Sequence, residues 1–299
     1  MIEAIQLTKT FDSFTALDHF STKIPDGAIY GLVGSNGSGK STLLRLISGI
    51  YRPDGGRILV DGVEPFEHPL TKDKVVHVSD DLYFLPHSNM DEMAGFYGGI
   101  YASFDMGVYK QIRERFPIDP KKKITTFSKG MKRQVALILA LSCCPRVLLL
   151  DEAFDGLDPV IRGALRKILA DLIAEQSLTV VIASHNLREL EDLCDFMGLL
   201  HQGKVIFERE IDEVKLGFCK VQAGFTVMPA NEQLEQLNIM QKEQTGSVLN
   251  LIVRGNSEEI MRYVETWSPL FVETVPLTLE EVFIHEMEAV GYDYNKIIF

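Results

Sequence analysis

The stretch that decides the fold of this chain is GSNGSGKS, at residues 34–41. It follows an apolar run at residues 28–33 and precedes a helical pattern at residues 42–47, so the order is strand, loop, helix. The spacing fits G-x-x-x-x-G-K-[ST], in which glycines let backbone N–H groups turn inward onto phosphate oxygens and the helix N-terminus adds its dipole. The sequence therefore predicts a phosphate-binding loop between a strand and a helix.

The side chains of this loop predict how ATP and Mg²⁺ would be bound. We expect Lys40 to reach the β- and γ-phosphates and the Ser41 hydroxyl to ligate Mg²⁺. The remaining predicted ATP contacts in the loop are Ser35, Asn36, Gly37, Ser38, Gly39 and Thr42. The alternative is a glycine-rich turn that binds no ligand, and the strand, loop and helix order argues against it.

Two adjacent carboxylates, Asp151 and Glu152, follow an apolar strand pattern at residues 147–150. Ligands of open α/β sheets bind at the carboxyl ends of the strands, and neighbouring strand residues point in opposite directions. We therefore expect different roles, with Asp151 binding Mg²⁺ directly or through water and Glu152 orienting and deprotonating the attacking water. Two acids at the start of a helix are the alternative interpretation.

The order of the strand and helix patterns predicts a doubly wound α/β core with a mostly parallel sheet. Continuous apolar runs at residues 147–150 and 179–183 suit strands that are buried on both faces. A helical stretch at residues 160–175 separates these two runs. Apolar residues at helical spacing, interrupted by glycines, predict a helical insertion at about residues 81–144.

A small accessory α+β domain is expected at residues 215–299, after a nucleotide-binding domain at residues 1–214. It has a strand pattern at residues 248–253 and a helix that starts near Ser257. Thr278-Leu-Glu-Glu281 fits a capping box and introduces a last amphipathic helix. The apolar stripe of that helix comprises Leu279, Val282, Phe283, Met287 and Val290.

Composition and charge restrict the function of this 299-residue chain. The formal net charge of −12 disfavours nucleic acid as a partner, because such affinity comes largely from Lys and Arg on phosphates. The N-terminal MIEAIQLTKTFD has neither the basic flank nor the apolar core of a secretory signal, so we expect a cytosolic protein. The longest apolar stretch, residues 135–144, is shorter than the roughly 20 residues that cross a bilayer.

Three further motifs follow the phosphate loop along the chain. FSKGMKRQ at residues 127–134 resembles the LSGGQ signature of the ABC transporter ATPases, and DGLD at residues 155–158 resembles their D-loop. Ser184-His185 occupies the position of their switch histidine. The order and spacing of these motifs are similar to those of ABC ATPases over about residues 1–215. This resemblance implies ATP hydrolysis and a P-loop NTPase core with an antiparallel β part at the N-terminus.

The resemblance also implies a head-to-tail dimer that holds two ATP molecules between its subunits. The signature residues Ser128, Gly130 and Met131 would then contact the nucleotide that Lys40 of the second copy binds. Asp158 of the D-loop would lie at the same shared site. A serine and a helix N-terminus are suited to bind an anion, and Ser128 is also expected to cap the helix that follows it.

Other positions take their expected roles from the same resemblance. His185 would contact the γ-phosphate and hold the attacking water, whereas a histidine after a strand can also be an ordinary loop residue. Phe11 would stack on the adenine, with Phe14 as the second candidate, and either could instead be a core residue. Asp80 follows the strand pattern at residues 75–78, where the family has a Gln, and would ligate Mg²⁺.

The domain layout favours the ATPase subunit of an ABC-2 type exporter, acting with a second copy or a close paralogue and a separate transmembrane permease. The ending LTLEEVF at residues 277–283 is similar to the close of many such subunits, and residues 90–105 resemble exporters of peptides or antibiotics, including phenol-soluble-modulin exporters. Such a subunit would bind the permease at the cytoplasmic face of the membrane. An importer ATPase is the main alternative. DNA-repair ATPases would need long heptads, and translational ones a second ATPase domain and a basic linker.

Overall fold

The computed structural model describes residues 1–282 and 284. Its contacts divide the chain into two compact units, Met1–Glu208 and Arg209–Phe299. The boundary that we expected from the sequence lay six residues later, after residue 214, and the division of function between the two parts stays a prediction.

The strands of the described residues are, in chain order, β1 (Ile2–Phe11), β2 (Phe14–Ile24), β3 (Ile29–Val33), β4 (Gly55–Val60), β5 (Val75–Val78), β6 (Val147–Asp151), β7 (Thr179–Ser184), β8 (Phe196–His201), β9 (Lys204–Glu210), β10 (Phe218–Gly224), β11 (Ile239–Thr245), β12 (Val248–Arg254) and β13 (Phe271–Val275). The helices are α1 (Lys40–Ile47), α2 (Pro69–Lys72), α3 (Met90–Ile100), α4 (Met106–Arg113), α5 (Lys129–Ser142), α6 (Pro159–Gln176), α7 (Leu187–Glu191), α8 (Ile211–Leu216), α9 (Asn231–Leu234) and α10 (Ser257–Glu265). A short 3₁₀ helix covers Ile124–Thr126.

The main sheet of the first unit has the strand order β5-β6-β7-β3-β8-β9. Strands β5, β6, β7, β3 and β8 run parallel to one another. Strands β3, β6 and β7 are buried along their whole length, which explains their continuous apolar sequences. Because parallel strands end at the same edge of the sheet, the segments that follow β3, β6 and β7 meet there. This arrangement confirms the predicted α/β class and places the phosphate loop beside the carboxylates.

A separate antiparallel sheet has the order β2-β1-β4 and forms the expected β part at the N-terminus. In the sequence, the β-like apolar runs of this part cover only residues 2–7 and 20–24. Strands β1 and β2 extend to Phe11 and Phe14, which pair across a tight turn. Interruptions of the pairing register along β1 and β2 break the simple alternation of apolar and polar residues, which is why the patterns were too short.

The predicted insertion at residues 81–144 contains α3, α4, the 3₁₀ helix and α5, with no strand among these fully described residues. Helix α3 begins with a capping box between Asn89 and Glu92. Helix α5 begins at the N-cap Ser128, whose hydroxyl accepts a hydrogen bond from the backbone N–H of Met131. The expected cap at Ser128 is therefore confirmed.

The second unit contains the antiparallel sheet β11-β12-β10-β13. Together with α9 and α10, its elements follow the order β-α-β-β-α-β of a split βαβ fold. Val221, Leu251, Val264 and Trp267 belong to its apolar core. Of these strands the sequence predicted only β12. Strands β11 and β13 are largely exposed and carry little apolar signal, and Lys220 and Gln222 interrupt the apolar residues of the mostly buried β10.

The predicted capping box at Thr278 is present, since Thr278 N–H donates to the Glu281 carboxylate and Glu281 N–H donates to the Thr278 hydroxyl. Residues 279–282 and 284 are helical, and Leu279 and Val282 are buried. The other members of the predicted stripe, Phe283, Met287 and Val290, lie outside the described residues. Within the part of the chain that the structure describes, no helix is long and apolar enough to cross a bilayer.

Candidate active site

Two glycines let the phosphate loop adopt a backbone conformation that residues with a side chain rarely adopt. Gly37 and Gly39 have φ angles of 80° and 112°, in the left-handed region that other residues rarely adopt. A Cβ at Gly39 would lie 2.4 Å from the Ala16 carbonyl oxygen. Helix α1 begins immediately after Gly39, so its first N–H groups face the loop. The backbone thus forms the glycine-dependent turn between strand and helix that the sequence predicted, and binding of an anion there stays a prediction.

Lys40 lies in this loop with its side chain buried. Its Nζ donates to the carbonyl oxygens of Gly34, at 2.6 Å, and of Ser35, at 3.1 Å. Burial lowers the pKa of Lys40, while the charges of Glu152 and Asp151 act in the opposite direction. The hydrogen-bond acceptors of this buried ammonium are neutral carbonyl oxygens. An anion in the cavity would therefore help to neutralise its charge.

The hydroxyl of Ser38 is buried and has no hydrogen-bond partner. Leaving a buried polar atom unpaired costs on the order of 1–3 kcal/mol. A phosphate oxygen in the loop would supply the missing partner. This unpaired hydroxyl and the buried Lys40 together show that the residues present fit a bound nucleotide phosphate.

A cavity of about 220 Å³ opens above the loop. The predicted site residues that line it are Asn36, Gly37, Gly39, Lys40, Ser41, Thr42, Asp80, Asp151 and Glu152. These residues come from three separate parts of the chain, and the main sheet brings them together. The lining therefore combines a cationic phosphate loop with carboxylates, as hydrolysis of a nucleotide assisted by a metal requires.

Asp151, the last residue of β6, is buried in this cavity wall. Burial raises the pKa of its carboxyl group, and the hydrogen bond from Ser41 and the charges of Arg45 and Lys40 oppose that rise. A divalent cation favours the charged carboxylate, so its binding would overcome the effect of burial. Within the described residues no group of three or more His, Cys, Asp or Glu side chains forms a metal site. Asp151 and Ser41 instead fit Mg²⁺ that also binds phosphate oxygens.

Glu152 and His185 lie side by side at the carboxyl ends of β6 and β7. The Nδ1 atom of His185 is 2.9 Å from the Oε2 atom of Glu152. The Glu152 backbone N–H donates to the Ala183 carbonyl oxygen at 2.9 Å, which ties the two strand ends together. Glu152 itself has a φ of 50°, an uncommon conformation for a residue with a side chain. The structure thus pairs the predicted general base with the predicted switch histidine.

Comparison with known proteins agrees with this geometry. The family model for ABC transporters matches residues 17–155. The ABC transporter ATP-binding protein YtrB of Bacillus subtilis is 33% identical and covers 95% of this chain and 97% of its own length. The chain belongs to the ABC transporter family. It is an ATP-binding subunit of that family, an ATPase.

Two further relatives are named for the substrates that they transport. The bacitracin transport ATP-binding protein BcrA of Bacillus licheniformis is 31% identical over 72% of this chain and 71% of that protein. The probable sulfate/thiosulfate import ATP-binding protein CysA of Chlorella vulgaris is 35% identical over 67% of this chain and 87% of that protein.

A dimeric ATP-binding cassette solved in a post-hydrolysis state with ADP and Pi has the same fold. Its TM-score is 0.62 at 22% identity, and the match covers 71% of this chain and 99% of that one.

In this ABC ATPase the signature and D-loop residues do not line the chain's own cavity. Ser128 and Asp158 each cap a helix, since Asp158 accepts hydrogen bonds at 3.0 Å from the N–H groups of Val160 and Ile161. Gly130 packs so closely on the loop after β6 that a Cβ there would lie 2.7 Å from the Gly156 carbonyl oxygen. The predicted contacts of Ser128, Gly130, Met131 and Asp158 with a nucleotide in a second copy stay predictions.

The aromatic residues near the cavity are arranged differently from our expectation. Phe14, our second candidate for adenine stacking, lines the cavity. Phe11 is not part of that lining, and its ring packs edge-on against Tyr51 at a centroid distance of 5.3 Å. Both side chains are exposed, so neither is a core residue. Stacking of adenine on Phe11 stays a prediction, and the position of Phe14 makes it the better placed of the two.

Asp80 lines the cavity as expected, but its carboxylate binds a residue that we did not single out. The guanidinium of Arg133 donates to Asp80 and forms an ion pair with it. Arg133 belongs to α5 and is 1% exposed. The sequence carried a signal in the helical spacing, because Ala136 and Leu137 follow Arg133 by three and four residues and place it on an apolar face. An arginine is almost never fully buried unless it is paired.

Proposed function

We propose that this chain is the ATP-hydrolysing subunit of an ABC-2 type exporter for a peptide, toxin or antimicrobial-type substrate. The observation that carries the hydrolytic part is the pairing of His185 with Glu152, which lines a cavity together with Lys40 and Asp151. The export part rests on the similarity to BcrA, whose name assigns it to bacitracin transport.

In this proposal each residue of the cavity has one role in hydrolysis. Lys40 and the backbone of the loop bind the phosphates, while Ser41 and Asp151 hold Mg²⁺. Mg²⁺ would neutralise charge that develops on the phosphate oxygens. Glu152 orients the attacking water and accepts its proton, and His185 keeps the Glu152 carboxylate in position and faces the γ-phosphate.

Two copies of the chain, or the chain and a close paralogue, would enclose two ATP molecules. Ser128 is exposed at the N-terminus of α5, a helix of 14 residues, where backbone N–H groups favour an anion. Its neighbours Gly130 and Met131, together with Asp158, would complete the second copy's site. ATP would then bind the two subunits together until hydrolysis removes the γ-phosphate.

A permease would bind the groove next to the ATP cavity. This groove has a volume of about 310 Å³ and lies between the segment after β5 and helices α3 and α5. It exposes large apolar side chains, with Tyr83 75%, Phe96 44% and Ile100 58% accessible. Exposed apolar clusters of this kind mark interaction sites. Bound to a permease there, the chain would lie at the cytoplasmic face of the membrane.

An ABC importer is the second candidate, because the similarity to CysA is of the same order as the similarity to BcrA. The two directions can be separated with inside-out membrane vesicles that contain the chain and the permease that co-purifies with it. External ATP should drive fluorescent bacitracin into the vesicles of an exporter, and vesicles with Glu152→Gln should show no accumulation.

Two results would contradict the proposal. Equal accumulation with wild type and Glu152→Gln would show that ATP hydrolysis by this chain does not drive transport. ATP-dependent loss of preloaded substrate from inside-out vesicles would identify an importer, since its substrate moves towards the side that carries the ATPase.

A further inference from the structure

The side chain of Arg133 connects three segments of the first unit. It is 2% exposed and projects from the first turns of α5. One guanidinium nitrogen donates to the Asp155 carbonyl oxygen and lies 2.9 Å from the Asp155 carboxylate. The other terminal nitrogen donates to the carboxylate of Asp80. A single buried cation therefore links α5, the segment after β5 and the loop after β6.

Both carboxylates are attached to the ATP cavity. Asp80 lines the cavity directly, together with Lys40 and Glu152. Asp155 follows Glu152 by three residues, and its backbone N–H donates to the Glu152 carbonyl oxygen at 3.3 Å. The Arg133 guanidinium also holds the pKa of Asp155 below its ordinary value. Asp155, the last residue of the turn at residues 152–155, is thus held against Arg133 of α5.

Glu152 needs such support because of its backbone conformation. A φ of 50° is disfavoured for a residue with a side chain and persists only where the surroundings impose it. The arginine fork can hold two carboxylates in fixed directions, which a flexible ammonium cannot do. Since Asp80 and Asp155 are 58% and 47% exposed, their ion pairs contribute little to stability by themselves, and their main effect is on position.

We propose that Arg133 is a positioning residue for ATP hydrolysis, which bridges Asp80 and Asp155 and thereby fixes the direction in which Glu152 faces the attacking water. The same bridge connects the cavity with the helix that carries Ser128. Asp80 then acts through Arg133, and its carboxylate is not the Mg²⁺ ligand that the sequence predicted. The inference rests on the proposed role of Glu152 as general base.

The test compares steady-state ATPase kinetics of the full chain with those of Arg133→Gln, Asp80→Ala and the double variant. Each single change should lower kcat at least about tenfold, because a misplacement of about 1 Å can cost on the order of 10²-fold. The KM for ATP should change less than about threefold, since the phosphate loop is untouched. The double variant should lie within about twofold of the worse single one, because both changes break one bridge.

A titration with Mg²⁺ separates the bridge from a metal-binding role of Asp80. The Mg²⁺ concentration for half-maximal activity should be the same in Asp80→Ala and wild type. The matched control is Arg166→Gln, which removes an arginine from an ion pair with Asp192 on the surface and should keep the wild-type kcat. Arg133→Lys keeps a positive charge at the buried position and therefore serves as the control for folding. Its kcat should stay as low as that of Arg133→Gln, because a flexible ammonium cannot hold both carboxylates in fixed directions.

Four results would overturn the inference. The first two are a kcat within twofold of wild type in Asp80→Ala or Arg133→Gln, and a wild-type kcat in Arg133→Lys. The other two are losses of kcat that multiply in the double variant, and a raised Mg²⁺ concentration for half-maximal activity in Asp80→Ala. Glu152→Gln is measured in parallel. If Glu152→Gln keeps its ATPase turnover, the proposed function itself fails. If Glu152→Gln loses turnover while Asp80→Ala has the kcat of wild type, only the bridge is refuted.

Discussion

At the scale of single residues, the proposed roles separate the binding of phosphate from the activation of water. Lys40 is buried among loop carbonyl oxygens, and in the proposal its charge binds the phosphates. Glu152 contacts His185, which follows the neighbouring strand β7 at the same edge of the sheet. Because the two side chains act on different atoms of the substrate complex, their removal should have different kinetic consequences.

Lys40→Ala should weaken both ATP binding and turnover, because it removes the cation from the phosphate loop. Glu152→Gln should keep ATP binding and lose turnover by on the order of 10²–10⁴, the usual contribution of a positioned base. Calorimetry gives the affinities and phosphate release gives the rates. Glu258→Gln, an exposed carboxylate of the second unit, is the control. Near-normal hydrolysis by Glu152→Gln would contradict the assignment of the base.

At the scale of elements, α5 combines a buried body with an exposed N-terminus. The residues from Arg133 to Ser142 are buried, whereas Ser128 is exposed and caps the helix. The buried part is fixed by the core, so the exposed cap is presented in a defined direction. That geometry suits a contact with a nucleotide in another subunit.

Glu152→Gln should dimerise with ATP and Mg²⁺ but not with ADP, because the γ-phosphate is the shared contact. Adding Ser128→Arg should abolish the dimer by placing bulk where that phosphate binds. Ser128→Ala is the control for the lost cap, which costs only about 1 kcal/mol of stability. Light scattering measures the oligomeric state. If the Glu152→Gln single variant stays a monomer with ATP and Mg²⁺, the shared site is refuted.

Strand β5 contains a half-buried histidine, His77, whose buried Nε2 atom has no hydrogen-bond partner. Burial, with a smaller effect of the Arg45 charge, lowers the pKa of His77 from 6.5 to about 4. The unfolded chain therefore takes up a proton on this residue at a higher pH than the folded chain does. The stability associated with His77 is present above pH 6.5 and is lost as the pH falls towards 4.

In wild type the unfolding free energy should decrease between pH 6.5 and 4. In His77→Leu this decrease should be smaller, by up to about 3 kcal/mol. Urea denaturation at several pH values measures the effect. His87→Asn is the control, because His87 is exposed and Asn tolerates its positive φ of 61°. The same pH dependence in His77→Leu and wild type would show that His77 does not cause the acid sensitivity.

At the scale of the whole molecule, the residues that line the ATP cavity all belong to the first unit. The second unit has its own apolar core and its own sheet. The start of its last helix packs within that unit, since Glu281 forms an ion pair with Lys220 of β10 at 2.6 Å. The second unit is therefore expected to tune or steady the dimer without taking part in the chemistry.

A chain that ends at Leu216 should still bind ATP, while its ATPase rate or its dimer affinity changes. The reason is that Lys40, Asp151 and both aromatic candidates, Phe11 and Phe14, remain. Calorimetry on the folded, shortened chain measures the affinity. A loss of more than tenfold, about 1.4 kcal/mol, would place nucleotide contacts in the second unit.

The sequence by itself determined the features that depend on local chemistry. The phosphate loop needs glycines and a lysine at fixed spacing, so residues 34–41 were readable without a structure. Strands β3, β6 and β7 were predicted because burial on both faces leaves a continuous apolar run. Strands β8 to β11 and β13 were missed. Strands β11 and β13 are largely exposed and carry little apolar signal, whereas β8 has a short apolar run that by itself does not distinguish a strand from a helix.

Only the tertiary structure decided which side chains meet across distant segments. Glu152 reaches His185 because β6 and β7 are neighbours in the sheet, and Arg133 reaches Asp80 and Asp155 because α5 packs beside both loops. Sequence spacing carries no information about such contacts, since they depend on the order of strands and the direction of a helix. The motifs thus identified the chemistry, and packing determined which residues hold it in place.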